Sequence, residues 1–123
     1  MVVDELDALR TANEGCQTVA FGDLSTQMIL ITDTQTNLPR EALDRLCAQA
    51  ALVLGRTGKT ALGTVPGLRA LLADTTSLRL FLRATDEPDD VLCCVCAPDV
   101  DVDVDKFIAD ATECLHRISN SNN

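Results

Sequence analysis

Apolar positions recur along the chain at two spacings, and the switches between them mark out eight elements. Leu6, Leu9 and Ala12 stand at helical spacing behind Val3, with Asp4 as N-cap and Gly15 as a stop. They predict a helix over residues 4–14. The stretch CQTVAF, residues 16–21, alternates and predicts a strand. GDLST breaks it. QMILIT, residues 27–32, is apolar at nearly every position and reads as a second strand, buried on both faces or central in a sheet. The two strands are close enough to form a hairpin. A polar loop then leads to Pro39, in the first turn of the strongest helical pattern, residues 39–54. There Leu43, Leu46, Cys47, Ala50 and Leu54 repeat at i, i+3, i+4, i+7 and i+11, and Gly55 ends the run.

Residues 55–67, rich in Gly and Thr, read as a loop. LRALLA, residues 68–73, reads as a strand, although periodicity leaves a short helix open. LRLFLR, residues 78–83, places Leu78, Leu80 and Leu82 on one face and Arg79, Phe81 and Arg83 on the other. VLCCVC, residues 91–96, is a near-continuous apolar strand stopped by Pro98. Val104, Phe107, Ile108, Ala111, Leu115 and Ile118 mark an amphipathic helix, and residues 119–123, SNSNN, read as a disordered tail. Three hairpin-linked strands after a central helix predict an α+β fold in one domain, residues 1–118. It has a single antiparallel five-stranded sheet with helices packed on it, in the order α-β-β-α-β-β-β-α.

Composition narrows the partners. With 123 residues the chain fits one domain and needs no metal or disulfide staple. Three Phe and no Tyr or Trp make the core aliphatic and remove base-stacking platforms. A net charge of −9 repels nucleic acid and anionic membranes. No basic segment precedes an apolar run at the start, and no apolar stretch approaches the ~20 residues that span a bilayer. The expectation is a cytoplasmic protein that binds neither nucleic acid nor membrane. In a reducing compartment its six cysteines stay free and pack as small hydrophobes.

Three motifs invite chemistry, and each is incomplete. LGRTGKT, residues 54–60, ends like a phosphate loop, but Val53 stands where the first Gly is needed, and the motif follows a helix instead of opening one. Arg56 and Lys59 are favourable past a helix C-terminus without any nucleotide. Asp99, Asp101, Asp103 and Asp105 resemble a calcium loop, but Val104 stands where its Gly belongs. Asp103 or Asp105 suits the start of the last helix instead. Cys93, Cys94 and Cys96 are split by strand geometry, with Cys93 facing away from the other two. The lone His116 lies far off, where a solvent-facing or capping role is the expectation. No catalytic residue, metal site or cofactor is expected, and the chain does not read as an enzyme.

What stands out is the central helix. Past Cys47 it runs Ala-Gln-Ala-Ala-Leu-Val-Leu and becomes apolar almost all round. One face packs on the sheet, but Leu52 and Val53 would stay wet. Burying a large aliphatic side chain gives ~1.5–3 kcal/mol, so a second subunit is the economical cover, and a symmetric dimer is the commonest kind. Cover by the chain's own loop 55–67 is the alternative.

The layout resembles the roadblock family, which includes roadblock-type dynein light chains and small bacterial regulators of Ras-like GTPases. The resemblance covers nearly the whole chain: the first helix ending at Gly15, then CQTVAFGDLSTQMILIT, then LPREALDRLCAQAALVLG, three strands and a final helix. The GDLST turn departs from the Asp/Asn-Gly turns common in such hairpins. The resemblance implies a roadblock/profilin-like homodimer, with two central helices packed antiparallel and sheets joined through the strand after that helix. On this chain those surfaces are Leu43, Leu46, Cys47, Ala50, Val53 and Leu54, with Leu68, Ala70 and Leu72 on the strand. It further implies a non-enzymatic regulator or scaffold for a small GTPase or another signalling protein. The alternative is a small-molecule or redox sensor using Cys93, Cys94 and Cys96.

Overall fold

The computed structural model describes residues 2–34, 38–54, 69–85, 87, 89–98 and 103–121. The elements are α1 (Val2–Ala12), β1 (Cys16–Asp23), β2 (Met28–Thr34), α2 (Arg40–Leu54), β3 (Arg69–Ala73), β4 (Leu78–Arg83), β5 (Asp90–Cys96) and α3 (Val104–Ser121). All five strands form one antiparallel sheet in the order β2-β1-β5-β4-β3. The α+β class and the element order are those expected, and Arg69–Ala73 is a strand.

Strand alternation divides the core in two. On one face Leu6 and Leu9 of α1 and Phe107, Leu115 and Ile118 of α3 meet Val19, Phe21, Leu80, Leu82 and Leu92. On the other, Leu46, Cys47, Ala50, Ala51 and Leu54 of α2 meet Ala20, Ile29, Phe81, Val91 and Cys93. The chain is thus a three-layer sandwich with α2 alone on its side.

Four local expectations change. β2 is an outer strand, not a central one. A bulge splits its apolar run: Phe21 pairs with Ile31 and Gly22 with Ile29, leaving Leu30 between them. Ile29 then enters one core and Ile31 packs on the other, while Leu30 is 56% exposed. β1 continues through Gly22 and Asp23, so the hairpin turn lies later than GDLST suggested. Gln27 takes φ 56°, and the Asp23 carboxylate accepts the Ser25 N–H at 3.0 Å.

The tail expected from residue 119 is instead the last turn of α3, which runs to Ser121. Ser119 is buried and donates to Asp90 Oδ2 at 3.1 Å. The start of α3 is capped as expected, Asp103 Oδ1 accepting the Lys106 N–H at 3.2 Å. α1 begins and ends two residues earlier than its pattern suggested. Asn13 Nδ2 folds back onto the Leu9 carbonyl at 3.0 Å, and Gly15, at φ 89°, turns the chain into β1. Among the described residues no helix is long and apolar enough to cross a membrane.

Candidate functional site

The candidate surface is built from β3 and the outer side of α2. β3 is the last strand of the sheet and pairs with β4 alone among the described residues. Its hydrogen-bond phase follows from the turn. The Asp74 N–H donates to the Ser77 carbonyl at 3.0 Å, which makes the next pair, Ala73 and Leu78, a non-hydrogen-bonded one. Alternation then gives Leu72 and Ala70 the bonds to β4. The N–H and C=O groups of Arg69, Leu71 and Ala73 point outward along the open edge.

The side chains alternate as well. Ala70 and Leu72 are half-buried against the α2 core, while Leu71 is 44% exposed on the opposite face. Leu71 lies within the strand the resemblance implies but between the positions named on it. Its parity, opposite to Ala70 and Leu72, is the signal that would have found it.

On α2 the anticipated set divides. Leu46, Cys47, Ala50 and Leu54 are buried on the chain's own sheet, so they support the surface from beneath. Leu43 and Val53 are half-buried against the same core, so Val53 is less wet than anticipated. Leu52 faces outward and, at 66%, is the most exposed large hydrophobic side chain among the described residues. Leu68 and the loop residues Gly55, Arg56 and Lys59 lie outside the described residues, as do Asp99 and Asp101.

A polar clamp ties the β3–β4 turn to α2. Arg79 Nη1 donates to Gln49 Oε1 at 2.6 Å, and Nη2 pairs with Asp74. Asp74 also accepts from the Thr76 hydroxyl and N–H, both at 2.7 Å, and from the Ser77 N–H at 2.9 Å. These bonds, the Thr76 hydroxyl foremost, hold its carboxyl down at about 2. Next to β3, a groove of about 910 Å³ runs between α3 and the ends of β3 and β4, with Arg69, Leu82, Ile108 and Ala109 among its lining.

The six cysteines are free and buried. Cys93 and Cys47 lie in the α2 core; Cys16, Cys94, Cys96 and Cys114 lie in the other. The split between Cys93 and its neighbours is the one strand parity predicted. Burial pushes Cys93, Cys94 and Cys47 up, and Cys114 up to about 11. Such thiols are poor nucleophiles and poor metal ligands. Among the described residues no group of three or more His, Cys, Asp or Glu side chains could hold a metal ion. His116 is exposed and bonded to Asn120.

No family profile and no curated protein matches the chain. Solved structures do. A Roadblock/LC7 domain from Streptomyces avermitilis superposes with a TM-score of 0.73 at 12% identity, covering 97% of this chain and 95% of that one. The chain has the roadblock fold. MglB from Myxococcus xanthus gives a TM-score of 0.73 at 15% identity over 98% of this chain and 95% of its own. MglC from the same organism gives 0.66 at 13% over 98% and 99%. A further MglB structure, described as a tetrameric arrangement, gives 0.73 at 13% over 98% and 88%. Within the roadblock fold of this chain, Ala70 and Leu72 of the open strand pack into the core that the lone helix α2 covers.

Proposed function

We propose that this chain is a non-enzymatic, homodimeric roadblock-type regulator or scaffold for a small Ras-like GTPase or another signalling protein. The observation that carries the reading is the open β3 edge together with an exposed Leu52 on α2. A second copy, related by a two-fold axis, would pair β3 with β3, centred on Leu71, and lay α2 against α2 over Leu52 and Val53. That arrangement satisfies the outward groups of Arg69, Leu71 and Ala73 and covers the apolar helix face. Leu43, Leu46, Cys47, Ala50 and Leu54 then shape the helix from beneath, with Ala70 and Leu72 doing the same for the strand.

The roadblock fold supports the regulatory part, because the family resembled by the sequence works by binding partners without a nucleotide site of its own. The tetrameric arrangement described for one MglB structure supports self-association as a habit of this fold. The burial of Cys93, Cys94 and Cys96, which pushes the first two thiols up, gives the sensor reading on them little support.

Two measurements test the proposal. Sedimentation across a concentration series should show a dimer, and a concentration-independent monomer would sink the first half. Pull-down from the native cell extract, with and without GTP analogues, should enrich a GTPase. Its consistent absence would leave only a dimeric scaffold.

A further inference from the structure

The strand pair at the centre of the sheet ends on two thiols. Cys16 opens β1, Cys96 closes β5, and the two are direct cross-strand partners. Just beyond them the Ala97 N–H donates to the Gly15 carbonyl at 2.9 Å, while the Cys16 N–H turns away to Asn13 at 3.1 Å. That flanking bond makes Cys16 and Cys96 a non-hydrogen-bonded pair, the antiparallel position where Cα atoms lie ~4.5 Å apart and side chains converge. Disulfides form at Cα separations of ~4.4–6.8 Å. Both side chains enter the same core, where the Cys16 thiol donates to the Thr18 carbonyl at 3.8 Å, and the interaction of the two thiols pushes Cys16 up and Cys96 down.

Other pairs are placed less well. Cys94 and Cys96 stand two residues apart on one strand, a Cα separation of ~6.7 Å that lies at the far limit. Cys47 and Cys93 belong to different layers, helix and sheet.

We infer that Cys16 and Cys96 form a reversible cross-strand disulfide when the protein meets hydrogen peroxide. The thiolate of one attacks the peroxide O–O bond, giving a sulfenic acid and releasing water. The second thiol attacks that sulfur, closing the S–S bond and expelling the oxygen as a second water. The peroxide takes up the two electrons and both thiol protons. In the sheet order, β1–β5 is the joint between the β1–β2 hairpin and the β3–β4–β5 meander. The bond would lock that joint and close a long loop, which constrains the unfolded chain strongly. It is independent of the proposed dimer.

The test is peroxide treatment of the full chain, followed by non-reducing peptide mass spectrometry. Expected is a linked Cys16–Cys96 peptide with loss of two hydrogens, reversed by dithiothreitol and accompanied by a higher urea midpoint. Burial should make its formation at least ~10-fold slower than oxidation of free cysteine. Cys94→Ala should keep the link and Cys16→Ala should abolish it. If Cys16→Ala does not fold, the linked peptide in the parent protein still decides. A link between any other pair, sulfinic acid without a link, or no mass change in the folded chain overturns the inference.

Discussion

The sheet has two outer strands, and they treat their open edges differently. β2 carries a bulge at Leu30, an Asp33 carboxylate paired with Arg10, and the Arg40 guanidinium on its Ile29 carbonyl at 3.1 Å. β3 has no bulge and no proline over Arg69–Ala73, and its one charge is at its first residue. Edge strands invite another chain unless bulges, charges or covering groups blunt them. β2 has all three devices; among the described residues β3 has only the Arg69 charge at its start. The same chain that guards one edge leaves the other regular and apolar. That asymmetry is what the proposed pairing through β3 requires.

The strongest way to break the comparison is Leu71→Pro. The Leu71 N–H faces outward, so proline removes the central donor of the edge without taking a bond from the β3–β4 ladder. Association should weaken by about 3 kcal/mol or more, roughly a hundredfold in Kd. Sedimentation reads the loss, and far-UV circular dichroism checks that the monomer keeps its fold. Equal sedimentation of variant and parent would mean that the edge is not the contact.

Leu52→Glu asks the same of the helix. If Leu52 is buried between two copies, the variant should weaken association by about 2 kcal/mol. Because Leu52 is 66% exposed in the single chain, folding stability should move by no more than ~0.5 kcal/mol. A variant that destabilises the monomer instead would place Leu52 under the chain's own residues.

The element order was legible in the sequence because periodicities of two and 3.6 survive burial, and each apolar run had a clear stop. The position of β2 was not. Four consecutive apolar residues, Met28 to Ile31, read as a strand buried on both faces, and a bulge produces the same run on an outer strand. The end of α3 was also hidden, because Ser119 looks like a tail residue until Asp90 arrives from across the fold. In the candidate site the helix residues were chosen by apolarity. Apolarity finds the side packed on the sheet as readily as a side facing a partner, so the interface set includes the buried Leu46 and Ala50, while Leu52, expected to stay wet, is the residue that does.

Gly22→Ala probes the guarded edge. A Cβ there would meet the Met28 carbonyl oxygen at 2.9 Å and Ile29 Cδ1 at 3.0 Å, where the bulge brings β2 close to β1. The backbone oxygen cannot rotate away, so the variant should lose about 1.5 kcal/mol of stability by urea unfolding. Association should be unchanged once the folded fraction is accounted for. A change in dimer affinity would show that the two edges are coupled and would blunt the contrast between them.

The smallest effect concerns how β3 is held, with β4 on one side and no strand on the other among the described residues. The Asp74 carboxylate gathers its own turn and pairs with Arg79, which reaches Gln49 on α2. Its folded pKa of about 2 lies below that of an unfolded aspartate, near ~3.9. A depressed carboxylate contributes stability above the unfolded pKa and loses it as pH falls through the folded one. The contribution is therefore whole at neutral pH and fades between ~4 and ~2. Asp110, held down by Lys106, titrates in the same direction, so the parent's acid profile alone cannot assign the effect. The difference between the parent and Asp74→Ala can. It should be constant from neutral pH to ~5 and shrink toward zero by ~2. Amide exchange in β3 should quicken in the variant at neutral pH, since the clamp that fixes the turn to α2 is gone. A stability difference that does not vary with pH would mean that the turn, and not the charge, holds the strand.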